Sequence, residues 1–145
     1  MYDKIKSDDQ ARIDSVVQEM FAVLRGHEIL TRWSYRTDDP YAVTMAIGGP
    51  AANGVVWLMA RDLLVEGMLA PVGIGDVRVS PLLGDDGDLV EVEIGGNDGF
   101  ASLEFDYRLL QYFLSATFDL VELGKEAEMI DFEAEIKKIT DGCLG

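Results

Sequence analysis

Glycine-rich turns divide the middle of the chain into short apolar or alternating segments, and this punctuation predicts an antiparallel sheet. YAVTMAI (41–47) and VVWLMA (55–60) are rich in β-branched and aromatic residues, and the intervening GGPAANG predicts a hairpin loop. DVRVSPLL (76–83), LVEVEI (89–94) and FASLEF (100–105) repeat the arrangement around GDDGD and GGNDG. In 89–94, valine and isoleucine at 90, 92 and 94 alternate with Glu91 and Glu93. We therefore expect a sheet with one solvated face.

The hydrophobic period changes to that of a helix after residue 106. A helix is predicted over roughly 107 to 122, with an apolar stripe made of Leu109, Leu110, Phe113, Leu114, Thr117 and Val121. Four further apolar side chains widen this stripe almost all round: Tyr107, Tyr112, Phe118 and Leu120. A second helix is predicted from Asp131, a plausible N-cap, with Phe132, Ile136 and Ile139 at i, i+4 and i+7.

Residues 12–24 carry a pattern that favours a helix when it is considered alone. Ser15 and Gln18 imitate a capping box. The apolar positions that match the helical template are Ile13, Val16, Val17, Met20, Phe21 and Leu24.

The glycine pair in GIGD (73–76) invites a phosphate-binding interpretation, but its context is reversed. Dinucleotide loops lie between a strand and a following helix, whose N-terminal amides face the phosphates. Here ARDLLVEGM predicts a short helix with Asp62 in its first turn and Gly67 near its end, and DVRV after the glycines alternates like a strand. Gly73 and Gly75 are therefore predicted to form a structural turn, and no cofactor is expected.

The 145 residues, of which 48% are hydrophobic, fit a single domain over 12–145 after a flexible N-terminal extension, 1–11. No segment resembles a signal peptide or approaches the roughly 20 apolar residues of a membrane span, so we expect a cytoplasmic protein without membrane insertion. Cys143 is the only cysteine, which excludes an intrachain disulfide and a metal cluster built on cysteines.

The acidic balance of the chain argues against nucleic acid as a partner. There are 27 acidic and 12 basic residues, and the formal charge of −15 repels phosphate backbones. A local basic face stays open if six of the seven arginines cluster, namely Arg25, Arg32, Arg36, Arg61, Arg78 and Arg108. Aromatic side chains that could stack on bases, but that core packing explains more simply, are Trp33, Tyr35, Tyr41 and Trp57.

Side chains able to support catalysis or bind metal are sparse. The single histidine, His27, lies in a polar turn where solvation explains it. Asp38 and Asp39 before Pro40 are typical of a turn. Four acids crowd one hairpin but miss the calcium-loop spacing, so an acidic hairpin tip is favoured over a calcium site: Asp85, Asp86, Asp88 and Glu91. A second acidic group is interpreted as solvated: Glu126, Glu128, Asp131, Glu133 and Glu135. No metalloprotease, serine hydrolase or phosphate-loop motif is present, and we expect no enzymatic activity.

Three stretches taken together resemble the SsgA-like proteins, the sporulation and cell-division regulators of actinobacteria: YRTDDPYAV (35–43), residues 55–81, and LLQYFLSATFDLVELGKE (109–126). The block 55–81 carries most of the resemblance, through Trp57, Ala60, Arg61, Asp62, Leu63, Leu64, Glu66, Gly67, Pro71, Gly73, Gly75, Asp76 and Val77. The chain departs from the family at Ser80 and Glu122, where tryptophan and proline are frequent.

The resemblance covers roughly residues 16–140, and the SsgB-like proteins are among the family members that the chain resembles. It implies an α+β fold similar to the Whirly proteins. It implies curved antiparallel sheets, a short crossover helix, C-terminal helices and a homotrimer, and it converts residues 16–24 from helix to strand. It also implies a non-enzymatic adaptor that positions FtsZ, another SsgA-like protein or cell-wall remodelling machinery at division septa. A single-stranded nucleic-acid binder of Whirly-like fold is the alternative.

Self-association has a motive in the residues as well. VVWLMA (55–60) is hydrophobic on both faces, and the helix over 107–122 is apolar over a wider arc than one sheet can cover. We therefore expect a homo-oligomer, and the resemblance supplies the number three.

Overall fold

The computed structural model describes residues 13–48, 54–85 and 87–130, and these ranges contain eight strands and two α-helices. The strands are β1 (Ser15–Leu24), β2 (His27–Arg36), β3 (Asp39–Ile47), β4 (Val55–Ala60), β5 (Val72–Ile74), β6 (Val77–Leu82), β7 (Leu89–Gly96) and β8 (Gly99–Asp106). The helices are α1 (Arg61–Gly67) and α2 (Tyr107–Leu120), and a 3₁₀ turn (Glu126–Met129) follows. The segments expected as strands are confirmed, and so are the helices expected in ARDLLVEGM and over 107–122. The N-terminal extension, the helix expected from Asp131 and Cys143 lie outside the described residues.

The strands form one curled antiparallel sheet in the order β4-β3-β2-β1-β8-β7-β6-β5. Two four-stranded meanders join where β1 meets β8, at Val23 and Glu104. Helix α2 lies over this junction, where the side-chain amide of Gln18 in β1 donates to the carbonyl of Leu109 at 2.9 Å. The expected α+β class with a curved antiparallel sheet is confirmed.

Strand β1 overturns the helical periodicity of residues 12–24 and confirms the strand that the resemblance implied. It pairs with β2 from Ser15 and Arg36 to Leu24 and His27, through a turn at Arg25 and Gly26 with φ of 52° and 80°. Met20 and Ala22 face the core while Phe21 faces outward. Apolar residues on both faces hide the period of two, and cross-strand pairing overrides the local pattern.

The core lies on one face of the sheet, beneath the two helices. Trp33 occupies its centre, edge-on to Phe105 at 5.1 Å between ring centroids and tilted against Phe113 at 5.9 Å. The indole N–H donates to the Thr31 hydroxyl, which in turn donates to the carbonyl of Met20, so the side-chain donors of Trp33 and Thr31 are both satisfied.

Two glycines hold positions that a larger residue would strain. An added Cβ at Gly67, the last residue of α1, would lie 2.3 Å from a Val79 side-chain carbon, so the missing side chain allows the helix to pack closely on β6. Gly75 has φ of +60° in the turn between β5 and β6. The GIGD stretch is therefore a hairpin, and no helix N-terminus follows it.

Candidate functional site

Arg61 is the most unusual residue of the described chain, because its side chain is fully buried. It begins α1 directly after β4 and precedes the buried Leu64 by three residues, which places both on the inward face of the helix. Its guanidinium lies 4.9 Å from the ring centre of Tyr35 and 5.0 Å from that of Phe118. The charge is thus held between two aromatic faces.

Hydrogen bonds join this guanidinium to the chain that follows α2. Nη2 donates to Glu126 Oε2 at 2.8 Å, and Nη1 donates to the Val121 carbonyl at 2.8 Å. Nη1 also contacts the carbonyl and hydroxyl of Thr117 at 3.3 and 3.4 Å. Within the described residues, Nε has no hydrogen-bond partner. The group fastens the end of α2 and the 3₁₀ turn to α1.

The electrostatics of this cluster keep both charges in place. The hydrogen bond from Arg61 lowers the pKa of Glu126, whose side chain is 7% exposed. Burial raises the pKa of the Tyr35 hydroxyl to about 12, and that hydroxyl donates to the Pro40 carbonyl at 2.9 Å. The cluster therefore consists of a fixed ion pair beside a neutral phenol, an arrangement suited to holding segments together.

The structure corrects two interpretations of the sequence. Glu126 was expected on a solvated surface and is buried against Arg61. Arg61 was a candidate for a basic face and is unavailable to any ligand, while Arg32 and Arg36 pair with Glu19 and Asp38. The sequence offers one sign that Arg61 is buried. It follows the apolar VVWLMA and lies one helical turn before Leu64, so both side chains are on the same face of the helix.

The other candidate residues are dispersed over the fold. His27 is the exposed first residue of β2, and Asp85 and Asp88 are exposed between β6 and β7, while Asp86 lies outside the described residues. Among the described residues, no group of three or more histidine, cysteine or acidic side chains is arranged to hold a metal ion. No helix in the described ranges is long and apolar enough to cross a membrane.

The four aromatic candidates named from the sequence do not form a stacking surface for bases. Trp33 and Tyr35 are buried in the core, and Trp57 is half-buried against it. Tyr41 is exposed, contrary to the expected packing role. A half-buried pair of carboxylates, Glu91 and Glu93, faces outward from β7.

The outer face of β1 to β4 carries exposed apolar side chains, a surface we call the outer apolar face. Leu58 and Phe21 are 61% and 58% exposed. Outward-facing apolar residues on the four strands are Val17, Phe21, Val23, Leu30, Ala42, Ala46, Val56 and Leu58. The half-exposed Arg32–Glu19 ion pair lies on this face between Val17 and Phe21. On the same side of β6 to β8 the charged residues are mainly acidic, and they stand beside Leu82, Leu89 and Phe100.

A groove between α1 and α2 forms a second apolar surface, which we call the interhelical groove. It has a volume of about 250 Å³ and is lined chiefly by Val65, Met68, Leu69, Tyr107, Leu114 and Phe118. The Tyr107 hydroxyl donates to the Met68 carbonyl at 2.8 Å and ties the two helices together at one end.

Comparison with known proteins gives a consistent result across sequence and structure. The family model described as "Streptomyces sporulation and cell division protein, SsgA" matches residues 29–126. The sporulation-specific cell division protein SsgB of Salinispora tropica is 39% identical over 110 residues, which are 74% of this chain and 77% of that protein. SsgB of Streptomyces coelicolor is 39% identical over 105 residues, 72% of this chain and 77% of the relative.

Two solved structures share the fold. The crystal structure of an SsgA-like sporulation-specific cell division protein from Thermobifida fusca has a TM-score of 0.78 at 31% identity, covering 86% of this chain and 95% of that one. A structure from work on SsgB mutations and longitudinal cell division during sporulation of Streptomyces coelicolor has a TM-score of 0.74 at 34% identity. It covers 81% of this chain and 96% of that one.

Proposed function

This chain belongs to the SsgA family of sporulation and cell division proteins, and on that premise we propose that it is a non-enzymatic adaptor for sporulation-specific cell division. In this proposal it positions division machinery, FtsZ in the first place, or cell-wall remodelling machinery at septa through protein contacts. It works in the cytoplasm and is recruited to the septum. The observation that carries the proposal is the outer apolar face, because exposed apolar side chains gathered on one side of a sheet are typical of protein interaction sites.

The outer apolar face suits contact between copies of the chain. Val56 and Leu58 of β4 lie beside Ala46 and Thr44 of β3, so the side chains of this part of the face are small or aliphatic. Burying such side chains stabilises an assembly by roughly 25 cal/mol for each Å² removed from water. We propose that copies associate through this face into a homotrimer.

A trimer would strengthen recruitment to a filament. Three copies of one weak binding surface on a polymer convert the second and third contacts into intramolecular events, which raises the overall affinity without new contacts. Assembly and recruitment are therefore linked, and a variant that separates the copies is expected to weaken both.

Adjacent residues of β4 provide a matched test of assembly. Val55 and Val56 are each 54% exposed but point to opposite faces of the sheet. We expect Val56→Glu to give a monomeric mass by light scattering, because the interface would bury an unpaired charge, and Val55→Glu to keep the trimeric mass. A monomeric mass for the unmodified chain across micromolar concentrations contradicts the assembly proposal.

Recruitment is tested with purified actinobacterial FtsZ polymerised with GTP and sedimented. We expect the chain to co-sediment with the polymer, the Val56→Glu variant to be depleted from the pellet, and the Val55→Glu variant to behave like the unmodified chain. In cells, a fluorescent fusion is expected at sporulation septa. A chain that stays in the supernatant and shows no septal signal refutes the adaptor role.

A further inference from the structure

The interhelical groove lies apart from the outer apolar face, on the helix-covered side of the sheet. Its volume of about 250 Å³ exceeds the roughly 150 Å³ that is enough for a benzene ring in an apolar protein cavity. One aromatic or two aliphatic side chains therefore fit between Val65 and Leu69 on one wall and Leu114 and Phe118 on the other. Leu69 is 79% exposed at the rim.

The walls of the groove are held in place before any ligand arrives. The Tyr107 hydroxyl joins the helices at one end, and the Phe118 ring rests on the buried Arg61 guanidinium at the other. Since Arg61 also holds Glu126, the groove and the chain after α2 share one rigid support. A preorganised surface loses less entropy when a ligand binds.

The surface beyond Phe118 is acidic. Phe118 lines both the interhelical groove and a neighbouring depression that contains Asp119, Glu122, Lys125 and Glu128. The depression thus holds three carboxylates and one ammonium, and the Lys125 ammonium lies 3.5 Å from a carboxylate oxygen of Glu128. On the α1 side, Asp62 and Glu66 are exposed and lie on the same helix as Val65. An apolar slot that continues into negative potential favours a ligand with cationic side chains beside its apolar ones.

We propose that the interhelical groove binds a segment of a partner protein that carries one or two bulky apolar side chains next to lysine or arginine. The apolar side chains enter between α1 and α2, and the basic side chains lie over Asp119 and Glu122. This inference rests on the proposed adaptor role only in assigning the segment to a partner. The groove then serves partner recognition, and the outer apolar face serves self-association.

The experiment selects peptides from a random 12-residue display library on the full, immobilised chain, with counter-selection on the Leu69→Lys variant. We expect the enriched sequences to combine large apolar residues with neighbouring lysine or arginine. Fluorescence anisotropy with one enriched peptide is expected to show at least about tenfold weaker binding to Leu69→Lys, through lost apolar burial and added repulsion. Binding is also expected to weaken for Asp119→Lys and at raised salt.

Ile74→Lys is the matched control, because Ile74 is 64% exposed on the β5–β6 hairpin and does not line the groove. Equal weakening by Ile74→Lys, enrichment of sequences without basic residues, or no enrichment overturns the proposal. If Leu69→Lys makes the chain monomeric, the groove binds a second copy of the chain. If Ile136→Asp tightens peptide binding, the groove binds the chain's own last residues. Either result also overturns the proposal that a partner segment occupies the groove. FtsZ sedimentation is a separate measurement. If the groove binds no peptide, recruitment to FtsZ through another surface can still be tested.

Discussion

Replacing Arg61 with methionine tests whether the buried ion pair holds the helices in place. The substitution keeps much of the side-chain length but leaves the Glu126 carboxylate buried without its cation and the Val121 carbonyl without its donor. Two charge-assisted hydrogen bonds at 2.8 Å are lost, and such bonds contribute about 1.5–3 kcal/mol each. This agrees with the about 3–5 kcal/mol that breaking a buried pair typically costs.

The expected loss is a large part of the about 5–15 kcal/mol by which domains are usually stable. With a denaturant dependence of about 2 kcal/mol/M, the urea midpoint is expected to fall by about 2 M. Fluorescence of the buried Trp33 and half-buried Trp57 reports the transition. All variants are compared at one protein concentration, because assembly makes apparent stability depend on it.

Arg32→Met is the matched control for Arg61→Met. Arg32 is also an arginine paired with a glutamate, but Arg32 and Glu19 are about half exposed and lie 3.4 Å apart. Because this pair lies on the outer side of β1 and β2, the mass of Arg32→Met is checked by light scattering before its midpoint is compared. Exposed pairs contribute about 0.2–1 kcal/mol, so the control midpoint is expected to move by less than about 0.5 M. If Arg61→Met shifts the midpoint no further than Arg32→Met, the argument that the buried pair fastens α2 and the 3₁₀ turn is refuted.

Three other predictions concern pH, backbone conformation and nucleic acid. Because the pKa of Glu126 is lowered in the folded chain, the stability that its carboxylate contributes is complete above the ordinary glutamate pKa and is lost as pH falls through the folded value. The urea midpoint of Glu126→Gln should therefore vary less between about pH 6 and pH 3 than that of the unmodified chain, and parallel curves would contradict this. Gly75→Ala should lower the free energy of unfolding by about 1 kcal/mol because φ is +60°. Gly96→Ala serves as comparison, because Gly96 has no positive φ and an added Cβ there has its nearest neighbour at 3.9 Å; Gly73 is less suitable, since its added Cβ would lie 3.0 Å from Arg78 Cγ. An unchanged Gly75→Ala melting temperature, or a clear rise in the melting temperature of the unmodified chain on adding NAD, FAD or ATP, would overturn the structural-turn interpretation. Anisotropy titrations with single-stranded DNA and RNA should show no submicromolar binding at about 150 mM salt, since the charge of −15 opposes phosphate approach; tight binding there would favour the nucleic-acid alternative.

The sequence by itself determined strands β3, β4, β6, β7 and β8 and both α-helices, but not the three-residue strand β5. Their periods are local properties: GDDGD and GGNDG mark turns, and the alternation of valine with Glu91 and Glu93 assigns faces without knowledge of the neighbours. The resemblance carried by 55–81 added the family and, through it, the strand at residues 16–24. The periodicity of that segment alone predicted a helix, because its apolar residues point to both faces of β1.

Only the tertiary structure decided that Arg61 and Glu126 form an ion pair, because they are 65 residues apart and no sequence pattern links the two positions. A charge is stable inside a protein only when distant groups satisfy it, and those groups meet through folding. The same holds for the outer apolar face and the interhelical groove. Leucine is a residue type usually found in cores, yet Leu58 and Leu69 are exposed. Their exposure depends on which side of the sheet α1 and α2 cover.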